Sequence, residues 1–492
     1  MKKLLLLAVV AIVSVISLTK LPVFSDEAIY IRWAQVATND PKQYLFLSML
    51  DGKPPLHVWS LMPILQLVSD PLLAGRLMSV AFGLVGLTVV ALIVKELGGN
   101  DRDELMAMGL LALMPFWFFH YRLALADTLL VMLFLIAIFA GLKIVRGKSV
   151  WRYVVLFALA FGGTLYVKTS ALFFILPLGV LPMFAQQAKK KSLPFISMYR
   201  SKTTFLLMLG GFAGGLLFSL LKISPLFPSL FSRSSDYTFS ISNLLGGEWQ
   251  HVLFSNLPGI VGWLIWYISP FIFALAAGER KKNRLLGLMA LLYIAPLVVF
   301  GRVIYSRYFL PVAPLAAIAA AFGYKQLIAS ARTALIAKTI VALFFLTSIS
   351  WVLVSWLNPG WLPLARSDKQ QYLTTWASGY GIPEVREYLN DQLAQSPELI
   401  EVGTEGYFGT LPDGLQIYFN NPKYSGHISI DGMGEPIQEI PPKLIESSKV
   451  RRTFLVVNTD RFLVTNPAHF QVIQYYPRPR GGPSLALLRI TP

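Results

Sequence analysis

The chain has 492 residues, 55% hydrophobic and only 14% charged, with a mean hydropathy of +0.58. Soluble domains carry about 25% charged residues, so the chain lacks the surface of the several soluble domains its length would allow and reads as largely membrane-embedded. Its 43 Lys and Arg against 26 Asp and Glu give a formal charge of +17, and the lack of Cys excludes disulfides, Cys-ligated zinc, iron–sulfur clusters and thiol nucleophiles.

Apolar runs of roughly 17–25 residues can cross a ~30 Å hydrocarbon core as helices. Eleven such runs fall at about 3–19, 74–94, 105–120, 124–142, 153–167, 169–185, 203–221, 258–277, 285–300, 308–324 and 334–356. The first follows Met1-Lys2-Lys3, and no small-x-small cleavage site precedes Asp26, so it reads as a retained helix rather than a signal peptide. Between the first two runs, residues 20–73 hold SDEAIYIRWAQVATND and KPPLHVWSLMPILQLV, which read as amphipathic helices lying in the interface. A later loop at about 222–257 carries Arg233, Asp236, Glu248, Trp249 and His251. After the last run the apolar stretches shorten. LIEVG, LQIYF, TFLVVN, FQVIQYY and SLALLRI read as strands, and EVREYLNDQLAQ reads as a helix started by Pro383. The expected architecture is an α-helical polytopic membrane module over residues 1–357 and a soluble α/β domain over 358–492.

Lys and Arg favour the cytoplasmic side. With the N-terminus inside, the cytoplasmic pieces hold 20 basic residues, among them Lys148, Lys189, Lys190, Lys191 and Arg200, against five acids. The outward loops hold 11 basic and 8 acidic residues, and the tail 12 and 13. The excess charge therefore describes topology, and nucleic acid is not an expected partner. An integral plasma (inner) membrane protein with a cytoplasmic N-terminus and an extracytoplasmic C-terminal domain is expected, in contact with membrane lipids.

Ionisable groups at membrane depth are costly and so are candidates for function. Asp26, Glu27, Lys53, His57, Arg122, Asp127, Lys168, Arg302 and Arg307 all fall on the expected outer side. Such a set suits an anionic lipid-linked substrate, with cations holding a phosphate and a carboxylate taking a proton. Competing readings stand beside this one. Arg302, Arg76 and Lys20 are each explained by snorkelling to headgroups. Asp127 opens an apolar run, where helix capping is a competitor. His57 reads as an interfacial residue, and FWFFHY before Arg122 as an aromatic belt. Metal-ligand spacing, a Walker loop and a nucleophile elbow are all absent from the sequence.

Six segments carry a resemblance. SDEAIYIRWAQ (25–35) opens the first outward loop with Asp-Glu, and DGKPPLHVW (51–59), GRLMSVAFG (75–83), YRLALADTLL (121–130), YVKTSALFFILP (166–177) and SRYFLPVAPLAAI (306–318) follow in order. The set resembles the membrane-embedded C-type glycosyltransferases of the protein O-mannosyltransferase and aminoarabinose-transferase group. Ile29 stands where the aminoarabinose branch carries a basic residue, Lys168-Thr169-Ser170 replaces Lys-Gly-Pro, and the central outward loop is too short for the inserted eukaryotic domain. A prokaryotic member of general type is therefore expected.

The resemblance implies sugar transfer from a polyprenyl-phosphate-linked donor at the outer membrane face, to a protein, lipid or glycan acceptor, with no cofactor or metal required. By motif position Asp26 matches the catalytic carboxylate and Glu27 its acidic neighbour. Lys53 and Lys168 match positions that bind donor phosphate or line the site, Arg307 and Tyr308 match late-helix phosphate contacts, and Asp127 matches a second acidic position. Direct displacement with Asp26 as general base predicts inversion at the anomeric carbon. The rival classes are an O-antigen ligase or polymerase and a secondary transporter, which would carry repeat symmetry and broken helices.

Overall fold

The structure is a computed structural model that describes residues 1–147, 150–184, 201–396 and 398–492. Lys148, Lys189, Lys190, Lys191 and Arg200, five of the basic positions on which the expected orientation rests, lie outside the described residues. The chain forms two compact units. One comprises Met1–Ile16, Phe46–His57 and Leu77–Leu353; the other comprises Ser17–Leu45, Val58–Arg76 and Val354–Pro492. The first outward region is thus divided, and most of it belongs to the same unit as the tail.

Among the described residues, seven helices are long and apolar enough to cross a membrane: Pro71–Glu96, Ala126–Val145, Val150–Val167, Lys202–Ile223, Ile241–Ile268, Arg280–Phe300 and Ala331–Leu357. Five of the eleven expected runs are shorter or broken, and the one at 258–277 splits at Ser269 into Leu257–Ile268 and Pro270–Ala276. The first helix is Lys2–Val15, and the chain turns at Ser17, whose φ is +52°. The run at 105–120 becomes Asp101–Leu113 and Pro115–His120, because Pro115 has no N–H to continue the ladder. The run at 169–185 opens as a 3₁₀ turn, Thr169–Phe174, and Val312–Ile328 begins only after Pro311. At Pro115 and Pro311 proline punctuates runs that hydropathy alone reads as continuous.

Within the first unit, small residues let helices meet at backbone distance. A Cβ on Gly162 would lie 2.9 Å from the Gly214 carbonyl oxygen, and one on Gly214 would lie 2.9 Å from that of Ala158. Val150–Val167 and Lys202–Ser219 therefore pack main chain against main chain. The five acids expected inside all serve helix ends. Lys3 pairs with Asp101 at 2.8 Å and also with Glu104. Lys325 pairs with Asp103 at 2.6 Å, and Arg146 at 3.2 Å and Lys143 both pair with Glu96. Glu279 accepts the N–H groups of Lys281 and Lys282, opening Arg280–Phe300.

The second unit contains a five-stranded sheet of order β2-β1-β3-β5-β4, with β1 Ile400–Thr404, β2 Ile428–Gly432, β3 Thr453–Asn458, β4 Phe470–Tyr476 and β5 Leu485–Ile490. β1 runs parallel to β2 and β3, and β5 runs antiparallel to β3 and β4. Every residue of β1 and β3 is buried, as expected for central strands covered on both faces. Leu444 of the helix Pro442–Ser448 enters the core over Gly403, where a Cβ would sit 2.5 Å from its side chain. The helix expected after the proline start signal is Ile382–Gln395.

One expected strand is not a strand. LQIYF lies in the helix Asp413–Phe419. Its Leu415, Ile417 and Phe419 are buried alternately, which mimics a strand, but the short helix is enclosed on more than one side. Its neighbours include the helix Ser25–Asn39, whose Arg32 donates to Gln416 Oε1 at 3.1 Å and to Asn420 Oδ1 at 2.7 Å. Gln35 donates to the Ile417 carbonyl at 2.8 Å. Ser25–Asn39, read as lying in the interface, is thereby packed against protein and buries eight residues. The sheet's remaining strand, β2, is Ile428–Gly432, which no expectation covered.

Candidate active site

In the second unit, the Asp26-Glu27 pair occupies the first turn of Ser25–Asn39, where negative charge meets the positive end of the helix dipole. The start of this helix is tied to the tail. Phe24 bridges to Ser378, the Ser25 N–H donates to the Ala377 carbonyl at 3.0 Å, and the Phe24 ring lies 4.7 Å from that of Tyr372. The two acids differ sharply in setting. Asp26 is half-buried. Glu27 is wholly buried and forms a two-point pair with Arg76, whose Nε and Nη2 donate to Oε1 and Oε2 at 2.8 and 2.7 Å. Glu27 Oε2 also accepts the Phe24 N–H at 3.0 Å.

Arg76 is only 1% exposed, which corrects its reading as a snorkelling cation. Beyond Glu27 it donates to the carbonyls of Leu18 and Leu21 at 2.7 Å each and of Pro22 at 3.2 Å. It thus clamps the turn that leads into Asp26. A planar guanidinium with five donors suits this task, and an ammonium would not. Lys20 and Arg302, by contrast, are exposed, with contacts to the carbonyls of Leu357 and Ser235.

In the first unit, three elements converge on one carboxylate. Asp127 lies in the first turn of Ala126–Val145, but the cap position is Leu125 and Asp127 makes no cap hydrogen bond. Its Oδ1 instead accepts from Lys168 Nζ at 2.6 Å, and Arg307 Nε stands 3.8 Å from Oδ2. Lys168 follows the last residue of Val150–Val167 and precedes the Thr169–Phe174 turn. Arg307 sits in the turn Ser306–Phe309, ahead of Val312–Ile328. Aromatic rings complete the group. Lys168 lies 4.6 Å from the Tyr308 ring centre, and Arg307 lies 4.6 and 5.8 Å from those of Tyr305 and Tyr308. The Tyr293 hydroxyl donates to the Tyr308 carbonyl at 2.6 Å. Two cations thus converge on one carboxylate in an aromatic surround, an arrangement of the kind that can take a phosphate.

The other candidates in this unit have further contacts of their own. Lys53 follows Gly52, whose φ is +71°, and pairs with Asp51 at 3.3 Å; Asp51 also pairs with Arg233. His57 is buried with Nε2 at 3.2 Å from the Ala124 carbonyl. Arg122 donates to the carbonyls of Ser14 and Ile16 at 2.9 and 2.7 Å, closing the exposed end of the first helix. Tyr293, Tyr305 and Asp51 were not singled out from sequence. Tyr305 could have been, since it lies three residues before Tyr308 beside Arg307. Tyr293, a lone hydroxyl in an apolar run, gave no signal.

Residues 52–209 match the family model described as dolichyl-phosphate-mannose-protein mannosyltransferase. No curated protein matches the sequence. Among solved structures the chain is similar to ArnT from Cupriavidus metallidurans bound to undecaprenyl phosphate, with a TM-score of 0.58 and 16% identity over 98% of this chain and 97% of that one. The apo state of the same protein matches with a TM-score of 0.55, at the same identity and coverage. The chain has the fold of the membrane-embedded C-type glycosyltransferases. The matched segment begins at Gly52 and takes in Lys53, His57, Arg122, Asp127 and Lys168, so the segment match and the fold are both those of glycosyltransferases.

Proposed function

We propose that the protein transfers a sugar from a polyprenyl-phosphate-linked donor to an acceptor hydroxyl at the outer face of the plasma membrane. The observation that carries this reading is the convergence of Lys168 and Arg307 on Asp127, set among tyrosines in a chain of this fold. Lys168 and Arg307 hold the donor phosphate and stabilise the charge that grows on it as the glycosidic bond breaks. Asp127 fixes the spacing of the two cations. Lys53 serves the same anion.

Asp26 takes the proton of the acceptor hydroxyl as its oxygen attacks the anomeric carbon, and the lipid phosphate leaves from the opposite side with inversion. The half-burial of Asp26 supports this role. Glu27, committed to Arg76, positions that turn and does not meet substrate. The fold likeness to a protein bound to undecaprenyl phosphate supports the donor class and weighs against a transporter or a ligase.

Transfer by purified protein, with its own envelope lipids as donor source, tests the reading. Asp26→Asn should lower the rate by about 10²–10⁴-fold with unchanged binding of a polyprenyl phosphate. Lys168→Ala and Arg307→Ala should lose that binding. Near-normal transfer by Asp26→Asn would refute the base.

A further inference from the structure

The loop that joins β1 to the helix Asp413–Phe419 has a use that the proposed chemistry leaves unassigned. It is held at several points. Gly406 bridges to Gly434, donating to its carbonyl at 2.9 Å, and the Gly409 N–H donates to Asp413 Oδ2 at 2.6 Å. Gly406 and Gly409 have φ of +75° and +108°, conformations that side-chain-bearing residues rarely adopt. The backbone of this loop rests on the start of Ser25–Asn39: a Cβ on Gly409 would lie 2.9 Å from Ser25 Oγ and 3.6 Å from the Trp376 ring.

A fixed loop beside the residue preceding Asp26 nevertheless presents its two largest side chains outward. Tyr407 is 73% exposed and Phe408 59% exposed. Trp376, 39% exposed, extends the strip, with the Arg461 guanidinium 4.4 Å from its ring centre. Arg461 in turn pairs with Glu435 and approaches Glu405 at 3.8 Å. Two exposed aromatic rings on a constrained loop, beside a third on a neighbouring segment, mark an interaction surface, because a packed domain otherwise covers such area.

We infer that this strip is the acceptor-side subsite and that the acceptor is a carbohydrate chain, an inference that rests on Asp26 being the base. A sugar ring has an apolar C–H face and a rim of hydroxyls. The strip offers the complement, with flat rings for the face and the paired Arg461 and Glu435 for the hydroxyls. An anionic lipid surface would instead meet a surplus of cations beside the aromatics, and here the cation is already paired with acids.

Saturation-transfer NMR on the full chain in detergent, with maltotetraose, cellotetraose, mannotetraose and chitotetraose as probes, tests the inference. At least one probe should receive saturation at its ring C–H protons. The double variant Tyr407→Ala, Phe408→Ala, which removes only exposed side chains, should weaken that binding roughly tenfold, and Phe408→Tyr should retain it. Asp26→Asn should bind the probe as the wild type does, so loss of the base and loss of the platform read out separately. The inference is overturned if none of the four probes binds or if the double variant binds unchanged. Normal transfer by Asp26→Asn together with intact probe binding would overturn the base alone.

Discussion

Asp413 shows how much one carboxyl can be asked to do. It holds the Gly409 N–H from a buried site, and burial pushes its pKa from the usual 3.8 up to about 6, with Arg32 offsetting part of the cost. Because the folded value lies above the unfolded one, stability is greatest below about pH 4, falls as pH rises to about 6, and is constant above. The difference is at most about 3 kcal/mol. Asp413→Asn keeps an acceptor for Gly409 and removes the charge. It should melt higher than wild type at pH 7.5, with the gap closing toward pH 4; a lower melting temperature at pH 7.5 would show that the charge itself is needed.

The Glu27–Arg76 pair behaves in the opposite way. Arg76→Ala leaves a buried carboxylate and several carbonyls unanswered, and should cost about 3–5 kcal/mol, measured by thermal denaturation of the purified protein. Asp26→Asn, at a half-buried site, should leave the melting temperature close to wild type. Sequence placed both acids at the head of one helix. It gave Glu27 no partner, because that pair depends on Arg76 reaching back 49 residues to Glu27.

At the scale of elements, the contact of Val150–Val167 with Lys202–Ser219 is set by glycines facing a backbone. Gly214→Val places methyl groups against the Ala158 carbonyl and the Phe161 ring, each 2.9 Å from the Cβ position. Overpacking of that kind should destabilise the protein by about 1–3 kcal/mol. Gly215→Val, where a Cβ meets nothing within 4 Å, should be tolerated, and equal melting of the two variants would dismiss the close approach. Hydropathy located most of these runs to within a few residues. Where it erred the causes are local. Pro115 split one run, and the alternation of LQIYF came from a helix enclosed on several sides, a setting in which burial no longer follows the 3.6-residue period. Ile428–Gly432 escaped notice because ISIDG is short and ends in turn-type residues.

For the whole molecule, the net charge of +17 carries a topological prediction. The acids at Glu96, Asp101, Asp103 and Glu104 are paired with Lys and Arg of the same expected side, and the basic surplus expected there would orient the chain with that side in the cytoplasm. Because the chain has no Cys, single substitutions report sidedness without background. Lys449→Cys in the tail should react with an impermeant maleimide on intact spheroplasts, and Lys281→Cys only after permeabilisation. The reverse pattern would invert the topology and move the proposed chemistry to the cytoplasmic face.

Sequence by itself determined the membrane class, most of the helical runs, the mixed α/β character of the tail and the ordered set of motif residues, because hydropathy and residue type are local properties of the chain. Only the tertiary structure decided which of those residues share a task. Asp127, Lys168 and Arg307 lie 41 and 139 positions apart in sequence, yet meet at one carboxylate. Arg122 closes a helix end, and Arg76 is a buried clamp. A charged side chain reads the same in sequence whether it faces headgroups, backbone carbonyls or a partner acid. Which it meets is fixed by packing between distant segments, and that separates the candidate cations that hold backbone carbonyls from those that meet at one carboxylate.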